Sequence, residues 1–351
     1  MVDLKIFPLM MKIDFEVINM LNAGKVPPDV LKSSVYPYMG KLRKEVLVHS
    51  GLGEDSSIID FGDKVAVLST DPITGADIHS SHLAVYVSCN DIAACGAEPI
   101  GILVTLLLPV GSDECILKEL MEGVHEAASK IGIEVLGGHS EITSAVVKPI
   151  ISATAIGLAD KDNFVTSSRA KPGDDIIVTK FLGLEGSAIL ASDFEGFLTG
   201  KVSDKTIINA QGFIDKISVI EEGILAAKVG VSAMHDITEG GLLGACFEVA
   251  EASGVGIEIY QDLLPILPET KEICRAFGIN PLGLISSGSM LICTPKGDEV
   301  VQALKARKIP ATIIGKVTSH GKFMVGSSGK RPIIPFERDE LIRAIEKVRK
   351  S

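Results

Sequence analysis

Ser88-Cys89-Asn90-Asp91-Ile92-Ala93-Ala94-Cys95-Gly96-Ala97-Glu98-Pro99 closes a predicted helix that carries two polar side chains among apolar ones. The helix is expected to start at Ser80 or Ser81, either of which can cap it, and to reach Cys95, where Gly96 ends it. Leu83, Val87, Asn90 and Ala94 fall at i, i+4, i+7 and i+11, on one face. Asn90 therefore sits in the apolar stripe and Asp91 borders it. A core-facing Asn-Asp pair costs helix propensity and desolvation unless something pairs with it. A buried hydrogen-bond network, a Mg²⁺ ion or a ligand hydroxyl would each satisfy these groups.

Strands are predicted on both sides of this helix. Glu45 to His49, Ser57 to Phe61 and Lys64 to Thr70 precede it, the last ending at Asp71-Pro72, and Gly62-Asp63 makes a hairpin turn. Gly101 to Leu108, Glu134 to Leu136 and Lys148 to Leu158 follow, with a helix over Asp113 to Ile131. Tight turns between the first strands imply a mostly antiparallel or mixed sheet. Upstream, Phe15 to Ala23 reads as a short helix ahead of Pro27-Pro28. Polar, turn-rich sequence near 160–173 marks a boundary. Beyond it come strand Asp175 to Thr179, the Gly-rich turn Gly183 to Gly186 and a helical region over 187–229. Strand Val231 to Asp236 leads into a helix from Thr238 to Ser253. Gly256 to Tyr260, Ser289 to Thr294 and Thr312 to Val317 are further strands, and a helix over Asp339 to Arg349 ends the chain. The organisation is an N-terminal segment (1–40), an α/β domain (41–160), a second α/β domain (161–335) and a C-terminal helix (336–351).

Composition narrows the function. The chain has 351 residues, 46 % of them apolar, enough for about two domains with their own cores. Mean hydropathy is +0.35, but the strongest apolar run, Ile100 to Val110, is too short to span a bilayer. The N-terminus lacks the pattern of a signal peptide, so a cytoplasmic location without membrane attachment is expected. A net charge of −11 with 5 % aromatic residues argues against nucleic-acid binding and suits a protein that gathers Mg²⁺ with carboxylates. The six cysteines form no C-x-x-C pair and read as buried free thiols.

The usual nucleotide and hydrolase signatures are missing: there is no P-loop, no complete dinucleotide fingerprint and no G-x-S-x-G elbow. Acids beside glycine turns take their place. Glu54 and Asp55 lie in the loop Gly51-Leu52-Gly53-Glu54-Asp55-Ser56, where Gly51 and Gly53 let backbone approach a ligand, or simply form an acidic hairpin loop. Asp71 ends an apolar strand, as a cap before Pro72 or as a ligand group. Gly137-Gly138-His139-Ser140 leaves backbone N–H groups free to face an anion, or is a plain turn. In Asp236-Ile237-Thr238-Glu239-Gly240-Gly241, Thr238 can cap the helix, and Gly240 and Gly241 in the first turn suggest a helix N-terminus bared for phosphate. Asp236, just upstream, is placed to hold the metal of that phosphate.

As an ordered set these segments resemble the motifs of the aminoimidazole ribonucleotide (AIR) synthase superfamily, over roughly residues 25 to 330. The resemblance implies an AIR synthase-like two-domain α/β (α+β) fold, with an N-terminal mixed α/β half forming a dimer barrel and a C-terminal α/β half. It further implies ATP at their interface, with Mg²⁺ held by Glu54, Asp55, Asp71, Asp91 and Asp236. Gly53, Glu54, Asn90, Gly137, Gly138, Gly240 and Gly241 would contact the nucleotide, and Asp55, Asp91 and His139 would act in catalysis. Within the superfamily the chain looks most like HypE-type hydrogenase maturation factors, which use ATP to dehydrate a thiocarboxamide. That implies an acceptor that is a small molecule or is borne on a protein, and a maturation-protein partner. Those factors carry the substrate on a cysteine near the C-terminus; this sequence has Glu346-Lys347-Val348-Arg349-Lys350-Ser351 there, and His139 stands where those factors usually have Asp, although Gly137-Gly138-His139-Ser140 resembles selenophosphate synthetase. Thiamine monophosphate kinase shares the acidic loop and the Asn90-Asp91 helix, which makes a small-molecule kinase the alternative. A nucleotide-binding paralogue without catalysis, acting as partner or regulator, is the third.

Overall fold

The computed structural model describes residues 21–350, so most of the helix expected over Phe15 to Ala23 lies outside the described residues. The first described helix is α1 (Pro28–Ser34), which the Pro27-Pro28 pair opens; proline suits a first helical turn, whose N–H groups have no partner within the helix.

The first sheet uses β1 (Val46–Val48), β2 (Ser57–Asp60), β3 (Lys64–Ile73), β4 (Glu98–Pro109), β5 (Glu134–Thr143) and β6 (Ile150–Asp160). Their order is β1-β2-β3-β6-β4-β5, antiparallel except for the parallel β4–β5 pair. Two helices belong to it, α2 (Ser80–Ala94) and α3 (Glu114–Ile131). Asp113 caps α3 by accepting from the Ile116 N–H, and Gly132 ends it in the left-handed region.

Several expectations shift here. β3 does not stop at Asp71 but pairs through Ile73 with β6. Pro72 is tolerated because β2 pairs β3 only as far as Leu68, so its missing N–H falls on a free side. β5 is not a short strand before a Gly-Gly turn; it runs straight through Gly137, Gly138 and His139 as the sheet's edge. Gly138 pairs with Val104, and a Cβ there would stand 1.8 Å from the Val104 carbonyl oxygen, so the two strands could not pair around a side chain. α2 is buried on every side, with only His82 and Val87 partly exposed, so a single apolar stripe does not describe it. Ser80 is its first residue rather than its cap and instead donates to the Asp77 carbonyl.

The second sheet has the order β13-β12-β9-β11-β7-β10-β8. Its strands are β7 (Asp175–Thr179), β8 (Ala233–Asp236), β9 (Gly256–Tyr260), β10 (Met290–Thr294), β11 (Ala311–Thr318), β12 (Lys322–Gly326) and β13 (Gly329–Pro332). The helical stretch between β7 and β8 resolves into α4 (Leu184–Asp193), the short α5 (Glu195–Leu198), α6 (Asp204–Gln211) and α7 (Ile220–Val229). After β8 come α8 (Gly241–Ser253), α9 (Pro268–Phe277), α10 (Gly297–Ala306) and α11 (Glu340–Lys350). β12, β13, α9 and α10 are additional to the elements expected from the sequence; the two strands are short, five and four residues, whereas α9 and α10 are amphipathic and could have been found from their spacing.

One apolar core spans both halves, from Ile58, Leu83 and Ile102 to Leu190, Phe277 and Leu341. Asn90 is the polar pin across that junction. Its amide donates to the Ile217 carbonyl at 2.9 Å and its oxygen accepts the Val219 N–H at 2.8 Å, just before α7. The buried hydrogen-bond network, one of the alternatives the helix pattern left open for Asn90, therefore takes up both ends of its amide. Asn90→Ala would leave a buried carbonyl and N–H unpaired. It is expected to lower the unfolding free energy by about 2–4 kcal/mol, read as a lower urea midpoint; an unchanged midpoint would show that the junction does not rest on this pin.

Candidate metal centre

Four segments meet between the halves. β3 presents Ser69 and Asp71, two residues apart and so on one side of the strand. α2 brings Asp91, the loop before β2 brings Glu54 and Asp55, and the end of β8 brings Asp236. The loop lies on α8, with Gly53 against the Glu248 carbonyl.

The five acids repel one another. Burial pushes the Asp91 carboxyl well above its usual range, and the charges of Asp236, Asp71 and Asp55 push it further. Asp236 is raised to about 8, first by burial and then by Asp55 and Asp71. Glu54 is raised by burial, although Ser168 bonds to it. Ser69 Oγ donates to Asp91 Oδ2. Asp236 is the most confined acid of the cluster: both its carboxylate oxygens are buried, and among the described residues only the raised Asp91 carboxyl and the charge of His235 offset them. Native proteins pair buried carboxylates. A hard cation with oxygen ligands fits this donor set.

His235 is the neighbour that the sequence did not single out. Its Nδ1 lies 2.6 Å from Asp55 Oδ1, a close ionic contact off the straight N–H···O line, and its Nε2 lies 2.9 Å from Glu248 Oε2. Burial alone would lower the pKa of this ring, but Asp55 and Glu248 raise it well above the usual value. Ligand atoms of Asp55, His235 and Asp236 fall within 4.8 Å of one another. With carboxylates on both nitrogens, His235 acts as an internal cation rather than as a metal ligand, which would need a bare nitrogen. Glu248 is correspondingly held at about 2, the pull of His235 and Lys25 outweighing its burial.

The glycine motifs are used otherwise than expected. α8 begins at Gly241 with Gly240 as its cap residue, three residues beyond the expected start, and Thr238 makes no side-chain cap. The anion that meets this helix start is the chain's own: Asp339 accepts the Gly240 N–H at 2.6 Å, together with the N–H groups of Ile285 and Leu341. Gly241 is needed because a Cβ there would stand 2.7 Å from the Leu282 carbonyl oxygen, at a φ of +60°. Gly137, Gly138 and His139 lie on the edge strand β5, where the His139 side chain is 68 % exposed and 3.5 Å from Glu141. They are not among the groups that meet at Asp236.

Two domain families cover this architecture. Residues 53–159 match the AIR synthase related protein N-terminal domain, and residues 171–326 match its C-terminal domain. The chain belongs to the AIR synthase related family. Within that family it is 32 % identical over 321 residues to a Methanocaldococcus jannaschii protein named for hydrogenase expression/formation, covering 86 % of this chain and 90 % of that protein. The carbamoyl dehydratase HypE of Rhodobacter capsulatus is 25 % identical over 305 residues, covering 84 % and 87 % of the two chains. A crystal structure of the hydrogenase maturation protein HypE in complex with ATP shares the fold at a TM-score of 0.68 and 23 % identity, covering 92 % of this chain and 98 % of that one. This AIR synthase related chain is thus HypE-like in sequence and in fold.

A carboxyl whose folded pKa is raised binds more protons folded than unfolded. Its cost is absent at low pH and grows as pH rises from the unfolded value near 4 toward the folded one, for Asp236 about 8. In EDTA at pH 8, Asp236→Asn is therefore expected to melt higher than wild type, by about 2 °C or more, and to lose the stabilisation that Mg²⁺ gives the wild type. A lower melting point in EDTA would show that the carboxylate is already compensated within the chain.

Proposed function

We propose that this chain is a Mg-ATP-dependent enzyme of the HypE type, which uses ATP to phosphorylate and so activate a carbonyl, amide or related acceptor. The observation that carries this is the Asp236 carboxylate, buried among Asp55, Asp71 and Asp91 with more acid around it than His235 offsets. Such a cluster is unstable on its own and fits a divalent cation that a triphosphate shares. ATP in the HypE crystal structure of the same fold supports the choice of nucleotide.

The chain's residues then divide the work. Asp91 and Asp236 face the cation from opposite halves, Asp71 and Glu54 flank them, and Ser69 fixes one oxygen of Asp91. Asp55 spends Oδ1 on His235, and its Oδ2, with only a long 3.5 Å contact from Ser167 Oγ, would turn to the cation. Magnesium bound there would neutralise charge on the transferred phosphoryl group. The acceptor is a small molecule or a group borne on a partner protein of hydrogenase maturation, in keeping with the names of the relatives.

We also take the enzyme to be a cytoplasmic homodimer. Support for the dimer comes from the unpaired edge strand β5 and from Ile100, Leu103, Leu136, Ile142 and Leu158, large apolar side chains exposed on the same sheet. Among the described residues no helix is long and apolar enough to cross a membrane.

Mg-ATP with a panel of acceptors should yield ADP or phosphate, and Asp91→Asn should weaken Mg²⁺-dependent ATP binding at least about tenfold. Binding without turnover on any acceptor would favour a nucleotide-binding partner protein instead. ADP formation driven by thiamine monophosphate would favour the small-molecule kinase.

A further inference from the structure

A line of alternating charges leads from the metal centre to the N-terminal segment. Asp55 Oδ1 meets His235 Nδ1 at 2.6 Å, His235 Nε2 meets Glu248 Oε2 at 2.9 Å, and Glu248 Oε1 meets Lys25 Nζ at 2.7 Å. Three of the four side chains are nearly shielded from solvent, and only Lys25, 51 % exposed, opens the line to water. The segment bearing Lys25 is itself strapped down. The Lys25 backbone N–H donates to Glu239 Oε1 at 2.8 Å, and the Ala23 carbonyl accepts from Arg338 Nε at 3.1 Å. The strap covers a cavity of about 720 Å³ walled by residues 21–32, by α8 and by residues 335–339.

We propose that Lys25 is a positioning residue: by clamping Glu248 it orients His235 and thereby Asp55, so that closure of the segment at 21–25 completes the metal centre. The proposal rests on the acid cluster being a cation site. Each link holds the next by charge-assisted contact, and each contact uses an oxygen or nitrogen that the next link leaves free. His235 cannot turn without losing one carboxylate, and Glu248 cannot turn while Lys25 holds its other oxygen. Without Lys25, Glu248 gains freedom, the ring follows it, and Asp55 loses the fixed contact that leaves its second oxygen to the cation. The same deletion also adds one negative charge near the centre, which by itself would tighten a cation. The Lys25 charge also reaches Asp55 directly, but the ammonium is half exposed and solvent weakens that pull, so positioning is the larger effect. Loss of a supporting contact of this kind costs a metal site about 10- to 100-fold in affinity.

Lys25→Met and Lys25→Arg separate the two effects, because arginine keeps the charge and the hydrogen bonds. The full chain, free of metal, is titrated with Mn²⁺ alone, and the His235 ring N–H resonances, assigned with His235→Gln, are followed by NMR. Lys25→Met is expected to shift or broaden the His235 signals and to weaken Mn²⁺ about tenfold; Lys25→Arg is expected to restore both. Signals that ignore Lys25→Met overturn the proposal whether or not metal binds. Unchanged or tighter Mn²⁺ binding in Lys25→Met overturns it as well, leaving only bulk electrostatics. A wild type that binds no Mn²⁺ while its His235 signals still respond to Lys25→Met sinks the cation site and, with it, the role of Lys25 in completing that site.

Discussion

A carboxylate sealed from water among other acids is the constraint around which this molecule is arranged. Asp236 ends a strand of the second sheet, and its buried carboxyl stands among three further aspartates. Burial and mutual repulsion both act against ionisation there. A fold keeps such a group when the repulsion is relieved by something that binds. The repulsion also explains why the acids come from both halves: the cluster exists only where α2 and β8 approach each other.

Holding mutually repelling groups together takes rigid support. The shared apolar core and the Asn90 pin fix α2 against the segment before α7. His235 sets an internal positive charge beside Asp55, and Asp339 ties α11 to the turn that starts α8. None of these groups needs to touch a ligand to matter. They hold the acids in fixed orientations, the support that the proposed cation site would need.

The segments with chemistry were legible because short motifs are local. Asp55, Asp71, Asp91 and Asp236 could each be picked out beside a turn, a strand end or a helix, and the structure brings them together with Glu54. What failed were inferences about how a motif is used. Gly137-Gly138 looked like an anion turn and is part of a strand whose neighbour comes too close for a side chain at Gly138. Gly240-Gly241 looked like a bare phosphate cradle and is packed on backbone, its N–H taken by an aspartate 99 residues away. Asn90 looked poised for a ligand as readily as for a network and proves to be a clasp between domains.

By itself the sequence determined the α/β character, most strand and helix positions and the acidic residue types. Periodicity, turn chemistry and capping act over a few residues, so they survive in a linear reading. Only the tertiary structure decided that Lys25, His235 and Glu248 stand in line behind Asp55, and that Asp236 is buried among the other acids. Those facts depend on how segments some two hundred residues apart pack against one another. No local pattern encodes that convergence, because the free energy of burying and pairing charges belongs to the assembled surroundings and not to any one stretch of chain.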